Sequence, residues 1–186
     1  MAGRLIRFEP RLEACLAGKD RPGDALEWIA YAELCLWKAR RPAQAVRAYE
    51  KAFELSPELA DSVESSYRTF AARAATAAAS GHGSDSAELD DRTRGELRRR
   101  ALDWLEADLA YRIKQGPNQA LKLEYDLTLK LNHRDFEPFR NPEALAKSPE
   151  PERSRWIAYW RNAERACRDA IVSSRKPTAT SIPPPS

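Results

Sequence analysis

The feature that most constrains this chain is the spacing of its apolar residues, which recur every three or four positions between proline and glycine interruptions. The first run is Leu5, Phe8, Leu12, Cys15 and Leu16. Such a period places apolar side chains along one face of an α-helix. The same spacing continues to about residue 172, so we predict an all-α fold of about six to seven helices.

Two amphipathic helices are predicted between residues 24 and 57. Asp24 followed by Glu27 has capping-box spacing, which predicts the start of the first helix. Pro42 suits the first turn of the second helix, and Ser56-Pro57 marks its end. The short connection predicts that the two helices pack antiparallel as a hairpin.

Four more helices are predicted downstream, at about 57–79, 90–115, 117–131 and 149–172, with one short turn after Asn141-Pro142. Residues 80–88 are rich in glycine and serine, which predicts a flexible loop. Residues 173–186 lack any period and predict a disordered tail. We therefore expect a single helical domain over residues 1–172.

Composition excludes several classes of protein. Hydrophobic residues make up 42% and charged residues 32% of the 186 residues, which is typical of a globular chain and not of a disordered one. The net charge of +3, from 31 basic and 28 acidic side chains, gives no general reason to expect nucleic acid as a partner. Cys15, Cys35 and Cys167 lack paired spacing, so we interpret them as buried, reduced thiols.

No stretch is apolar enough to predict a membrane span, and the N-terminal residues lack the apolar centre of a signal peptide. We expect a cytoplasmic protein without a membrane partner.

Residues 32–57, AELCLWKARRPAQAVRAYEKAFELSP, resemble the tetratricopeptide repeat, a 34-residue pair of helices. The resemblance gives structural roles to six residues: Ile29, Leu36, Ala45, Tyr49, Ala52 and Pro57. It implies stacked antiparallel helix pairs in a right-handed superhelix. Ala32 and Glu33 depart from the pattern, because a leucine and a small residue are usual there.

Three further segments resemble the C-terminal tails of bacterial serine/threonine protein kinases that contain such repeats. They are EACLAGKDRPGDALEWIAYAELC, LDDRTRGELRRRALDWLEADLA and FRNPEALAKSPEPERSRW. The segment Arg68-Thr69-Phe70-Ala71 departs from the Asn-Ala-Ala-Cys that those tails carry. The resemblance implies descent from a tail and not kinase activity, since the His-Arg-Asp at 133–135 has no glycine-rich loop or other kinase motif around it.

Candidate chemical sites are few. The basic run from Arg92 to Arg100 could contact phosphate or nucleic acid, but interleaved acidic residues favour a solvated, salt-bridged face. His82 and His133 lie far apart in sequence, without ligands that would complete a metal site. We predict no catalytic residue, metal or cofactor, and no enzymatic activity.

Five tryptophans are many for this length, and Trp104 and Trp156 are predicted to lie in the core. Trp37 is expected to be partly exposed next to basic side chains, as in the anchor of a binding surface. By the resemblance, the first helix of the repeat lines a groove for a peptide or partner helix. The residues that we predict to bind it are Glu27, Tyr31, Leu34, Trp37, Lys38 and Arg41.

The function predicted from sequence is therefore a non-catalytic module that binds or scaffolds other proteins. The alternative is a detached regulatory tail of a kinase signalling protein. That alternative predicts exposed apolar residues on the outer side of the N-terminal helix, where preceding repeats would have stacked.

Overall fold

The computed structural model describes residues 2–116 and 120–174, and every regular element in these ranges is a helix. The prediction of an all-α chain is confirmed for this part. The α-helices are α1 (Ala2–Phe8), α2 (Leu12–Leu16), α3 (Ala25–Trp37), α4 (Pro42–Leu55), α5 (Tyr67–Ala79), α6 (Asp91–Lys114), α7 (Ala120–Asn132), α8 (Pro142–Leu145) and α9 (Glu152–Ser174). Short 3₁₀ helices span Glu9–Arg11, Pro57–Leu59 and Arg134–Phe139.

Helix α3 begins where its cap predicts. The side chain of Asp24 accepts a hydrogen bond from the amide of Glu27 at 2.8 Å, which satisfies one of the free amides of the first turn. The carboxylate of Glu27 in turn accepts from the amide of Gly23 at 2.8 Å. Proline at the first position of α4 costs no hydrogen bond, because that amide would have no partner within the helix.

Neighbouring helices pack in sequence order through the centre of the molecule. α3 packs on α4, α4 on α5 and α5 on α6, while α1 covers α3 and α9 packs on both α6 and α7. The inner face of α5 is made of alanines, whose small side chains allow the close approach of α4 and α6. One hydrophobic cluster runs from Phe8 in the N-terminal segment to Cys167 in α9.

Two helices differ from those that the sequence predicts: one is divided in two, and one begins later. The single helix expected over residues 5–16 is divided into α1 and α2, because Pro10 lacks an amide hydrogen and its ring opposes a continuous α-helix. The helix expected from Pro57 begins only at Tyr67. It is preceded by a 3₁₀ turn and by Ser66, whose φ of +53° cannot be part of an α-helix.

The C-terminal part combines a confirmed cap with an unexpected element. Asn141 accepts hydrogen bonds from the amides of Glu143 and Ala144 and so starts the predicted short turn, α8. The 3₁₀ helix before it was not predicted; its Phe139 carbonyl accepts a bond of 2.6 Å from the indole of Trp160. The last helix begins at Glu152, slightly later than predicted.

The three cysteines are free and buried, as predicted. Within residues 2–116 and 120–174, no helix combines the length and the apolar character needed to cross a membrane. α9 includes Ser173 and Ser174, so the tail predicted from residue 173 is wrong at these two positions. The rest of that tail, 175–186, and the predicted start of a helix at Pro117 lie outside the described residues.

Candidate binding surface at Trp37

Two of the predicted binding residues are in the interior. Tyr31 is 2% exposed and Leu34 8% exposed. The ring of Tyr31 lies 6.1 Å from that of Phe8, because α1 packs on the side of α3 that the repeat pattern leaves open. The expectation that Tyr31 and Leu34 face a partner is therefore wrong for the described conformation.

Glu27 and Lys38 are nearer the surface but are held by the N-terminal segment. A carboxylate oxygen of Glu27 lies 2.8 Å from Arg11, and Lys38 forms an ion pair with Glu9. Arg41 is exposed just before α4. A binding role for these three residues stays a prediction.

Trp37 is exposed as the sequence predicts, with 57% of its surface accessible at the end of α3. Its ring lies edge-on to Phe70, at 5.6 Å between centroids. The guanidinium carbon of Arg73 lies 5.1 Å from the indole centroid, which is a cation–π distance. Both neighbours belong to α5, so this helix fixes the position of the exposed indole.

A cavity of about 240 Å³ opens beside Trp37. Its wall is built by the end of α3, the turn before α4, the middle of α5, the turn after α5 and the start of the 3₁₀ helix after α7. The residues that line it are Leu36, Trp37, Arg40, Pro42, Arg73, Ala77, His82, Gly83, His133, Arg134 and Asp135.

This cavity was not predicted from the sequence. The sequence gives no reason to place His82 near His133, and it indicates no kinase function for the His-Arg-Asp triplet. The fold brings both histidines and the triplet to one opening, although the chain separates them by about fifty residues. The only local signal was Trp37 itself, next to Arg40.

The turn at residues 80–88 shapes one side of the cavity. Composition predicts a flexible loop there, yet the segment makes defined contacts with α4. The amide of Ser84 donates to the carbonyl of Arg40 at 2.9 Å, and Asp85 accepts from the amides of Ala43 and Gln44, at 3.3 and 2.8 Å. Asp85 is thus the side-chain cap of α4, which Arg41 does not provide.

Arg94, on α6, also stabilises this turn. Its guanidinium donates to four carbonyl oxygens, those of Ala79, Ser86, Ala87 and Leu89, at 2.9 to 3.0 Å. These contacts order the backbone from the end of α5 to the start of α6.

Other members of the basic run from Arg92 to Arg100 are also used within the molecule. Arg92 pairs with Glu96, Arg98 with Glu152 and Arg100 with Glu50. The interpretation of this run as a salt-bridged face agrees with these contacts.

The charges around the cavity are unbalanced. Three guanidinium groups, those of Arg40, Arg73 and Arg134, face one carboxylate among the described lining residues, that of Asp135. Nε of Arg73 lies 3.5 Å from Oδ2 of Asp135 but makes no hydrogen bond there, and it is buried. Burial lowers the pKa of Arg73 below its ordinary value, although attraction to Asp135 opposes this.

His133 is held as a neutral side chain. Its Nδ1 lies 3.2 Å from the amide of Asp135, which donates to it, and 3.3 Å from Oδ2 of the same residue. Burial lowers the pKa of His133, and the positive charge of Arg73 lowers it further. Attraction to Asp135 opposes this lowering, but the net direction favours the uncharged imidazole at neutral pH.

Neither histidine belongs to a metal site in the described ranges, where no group of three or more histidine, cysteine or acidic side chains could hold an ion.

A second, larger cavity of about 770 Å³ lies among α6, α7 and α9. Its wall is mainly apolar, but it includes the buried Arg112 and Tyr159. Below it, four buried charges form a balanced network: Nζ of Lys130 lies 2.8 Å from Asp108 and 2.7 Å from Asp126, and Nε of Arg112 lies 2.9 Å from Asp108. These charges neutralise one another and join the C-terminal helices.

Comparison with known proteins gives no family for this arrangement. No family model, curated protein or solved structure matches the chain. The likeness to kinase tails and to the tetratricopeptide superhelix therefore remains a prediction from the sequence segments that carry it. Any function has to be argued from the cavity and its surroundings.

Proposed function

We propose that this chain is a non-catalytic protein-interaction module that binds a peptide or partner helix at Trp37 and the adjoining cavity. The observation that supports this is the contrast among the tryptophans. Trp37 is 57% exposed at the cavity, whereas Trp28 is half-buried and Trp104, Trp156 and Trp160 are buried.

An exposed tryptophan is suited to this role by its size and by its support. The indole offers a large apolar area with one hydrogen-bond donor, which is why tryptophan is frequent among the residues that dominate binding energy. Phe70 and Arg73 already pack against the ring of Trp37. Less side-chain entropy is then lost when a partner covers it.

The proposed surface differs in part from the one predicted by sequence. Trp37 stays at its centre, whereas the buried Tyr31 and Leu34 leave it. Arg40 and Arg73 join it, because the cavity lies toward α5 and not along the outer side of α3.

Selection of peptides from a random displayed library tests this function even though the natural partner is not identified. The wild-type protein should enrich peptides whose binding the Trp37→Ala variant loses. We expect affinity to fall by about thirtyfold or more, as for truncation of an anchor worth about 2 kcal/mol. Fluorescence polarisation with the purified peptides gives the dissociation constants.

Tyr125→Ala is the matched control. Tyr125 is another large exposed aromatic residue, 66% accessible on α7, and it does not line the cavity. Peptides should bind this variant as they bind the wild type. Enriched peptides that bind Trp37→Ala and wild type equally would contradict the proposal, as would a library that yields no binder.

One observation favours a second candidate, a detached regulatory tail of a kinase signalling protein. Ile6 on α1 is 68% exposed, so the N-terminal helix has an apolar side chain on its outer surface, as the stacking of a preceding repeat would require. The genomic sequence upstream of Met1 tests this candidate. A reading frame with further repeats and a kinase domain would support it, and an unrelated upstream gene would contradict it.

A further inference from the structure

We propose that the cavity beside Trp37 binds an oxyanion, a carboxylate or phosphate group carried by the partner peptide. This inference rests on the proposed interaction function and specifies the chemistry of the ligand. It is carried by three features of the cavity: its excess of guanidinium groups, the incomplete pairing of Arg73 and the strained backbone of Arg40.

Positive charge exceeds negative charge at the opening. Among the described lining residues, Asp135 is the one carboxylate, and its oxygens lie 3.3 Å from His133, 3.5 Å from Arg73 and 3.8 Å from Arg134. Arg40 has no ion pair in the described part of the chain. An incoming anion would therefore meet two positive charges that the protein does not neutralise.

Arg73 has unmet hydrogen-bonding capacity. Its side chain is only 16% exposed, and its buried Nε makes no hydrogen bond within the described residues. Leaving a buried charged donor unpaired is costly, so an oxyanion within reach of its fork would be favoured. Guanidinium groups match carboxylate and phosphate oxygens in geometry as well as in charge.

Arg40 is held at the opening by a strained backbone. Its φ of +53° is unusual for a residue with a side chain, whereas glycine would adopt it without strain. The amide of Ser84 donates to its carbonyl, and its guanidinium makes no hydrogen bond or ion pair among the described residues. Strain of this kind is often found at functional sites.

The size and polarity of the cavity suit a single charged group. At about 240 Å³ it is smaller than the roughly 300 to 1,000 Å³ typical of sites for whole small molecules. The imidazole of His133 adds a polar group to the wall of the cavity. The exposed indole of Trp37 at the side would then contact the residues that flank the anionic one.

Titration with inorganic phosphate and, separately, acetate tests for the site by nuclear magnetic resonance. The backbone amides of Arg40 and Gly83 and the indole N–H of Trp37 should shift with one saturable dissociation constant. The indole of Trp104, which is buried elsewhere, should not shift. Absence of a saturable shift with both anions would overturn the proposal.

The variant Arg40→Gly separates binding from folding. Glycine accepts a positive φ without strain, so the variant should fold as the wild type does, while its affinity for the anions should fall by about tenfold, as expected for one charge-assisted contact. Arg99→Ala, which removes an exposed arginine outside the cavity, should leave the affinity unchanged. Equal loss in both variants would show only a general charge effect and would overturn the proposal.

Peptides distinguish the source of the anion and separate this inference from the proposed function. One library-selected sequence is prepared with glutamate, phosphoserine or glutamine at its anionic position, and binding to wild type and Arg40→Gly is compared. Tighter binding of the glutamate form identifies a carboxylate ligand, and tighter binding of the phosphoserine form identifies a phosphate. If the glutamine form binds equally well and still depends on Trp37, the oxyanion site is wrong and the interaction function stands.

Discussion

Glu33 is a buried carboxyl group where the repeat pattern calls for a small residue. It is 5% exposed on α3, and burial raises its pKa to about 7, with attraction to Arg4 opposing the rise. Between pH 4.5 and 7 the folded protein holds a proton on Glu33 that the unfolded chain has released. Stability therefore falls as the pH rises through this window.

Replacement of Glu33 by glutamine should remove this dependence. We expect Glu33→Gln to match the wild type near pH 4.5 and to exceed its free energy of unfolding by up to about 3 kcal/mol at pH 8, since each pKa unit corresponds to about 1.4 kcal/mol. Urea unfolding at a series of pH values measures the difference.

Comparing the free energy of unfolding of Glu33→Gln with that of a control variant at each pH separates the effect of Glu33 from that of His133, because both variants keep His133. The pKa of His133 is lowered in the folded state, so its contribution has the opposite sign and increases with pH up to about 6.5. Glu88→Gln, at an exposed side chain, is the control. A wild-type advantage over Glu33→Gln at pH 8 would contradict the assignment.

Single residues were predictable where their role is local. The capping roles of Asp24 and Asn141 follow from a side chain and amides two or three positions away, which sequence spacing reveals. Tyr31 and Leu34 were not predictable in the same way. Their burial depends on α1 packing against α3, a contact between segments that no local pattern specifies.

At the scale of elements, the turn at residues 80–88 depends on glycine at one position. Gly83 has a φ of +93°, and a Cβ there would lie 2.3 Å from Cδ of Pro42 and 2.6 Å from the carbonyl oxygen of Arg40. We expect Gly83→Ala to lower the free energy of unfolding by about 3 kcal/mol, through backbone strain and overlap together. Thermal unfolding followed by circular dichroism measures this loss.

The variant Gly18→Ala separates the cost of backbone strain from the cost of steric overlap. Gly18 also has a positive φ, of +71°, but a Cβ at this position would have nothing within 4 Å. This variant should lose only about 1 kcal/mol, the cost of the backbone conformation alone. Equal losses in the two variants would mean that the turn moves away from Pro42 without cost.

Helix extents were largely predictable, because periodicity and caps act over one or two turns. The bounds of α3, α4 and α6 agree closely with those expected from sequence. The cavity beside Trp37 was not predictable, because three separate segments of the chain form it. Its lining residues can be identified only from the fold, which brings Arg73 next to residues 133–135.

For the whole molecule, the buried charges under the larger cavity connect two consecutive helices, α6 and α7. Burial alone would lower the pKa of Lys130, but Tyr159, Asp108 and Asp126 outweigh it and raise the pKa above its ordinary value. Lys130→Met would leave two buried carboxylates with one guanidinium. We expect a loss of about 4 kcal/mol in the free energy of unfolding, measured with urea.

A double variant provides the control for this network. Asp126→Leu together with Lys130→Met leaves Asp108 and Arg112 as a neutral pair at 2.9 Å. Most of the stability lost by Lys130→Met should return, because no unpaired buried charge remains. A double variant that is less stable than the single one would show that both salt bridges are needed for packing.

The cap of α4 by Asp85 also limits how this protein could have been assembled from repeats. The two amides that Asp85 binds lie 41 and 42 positions earlier in the chain. In a copy of residues 24–57 transplanted into another protein, the amides of Ala43 and Gln44 at the start of the second helix would lack their side-chain cap. A transplanted copy that keeps this cap would have to include Asp85, and Arg94, which holds the turn that carries Asp85.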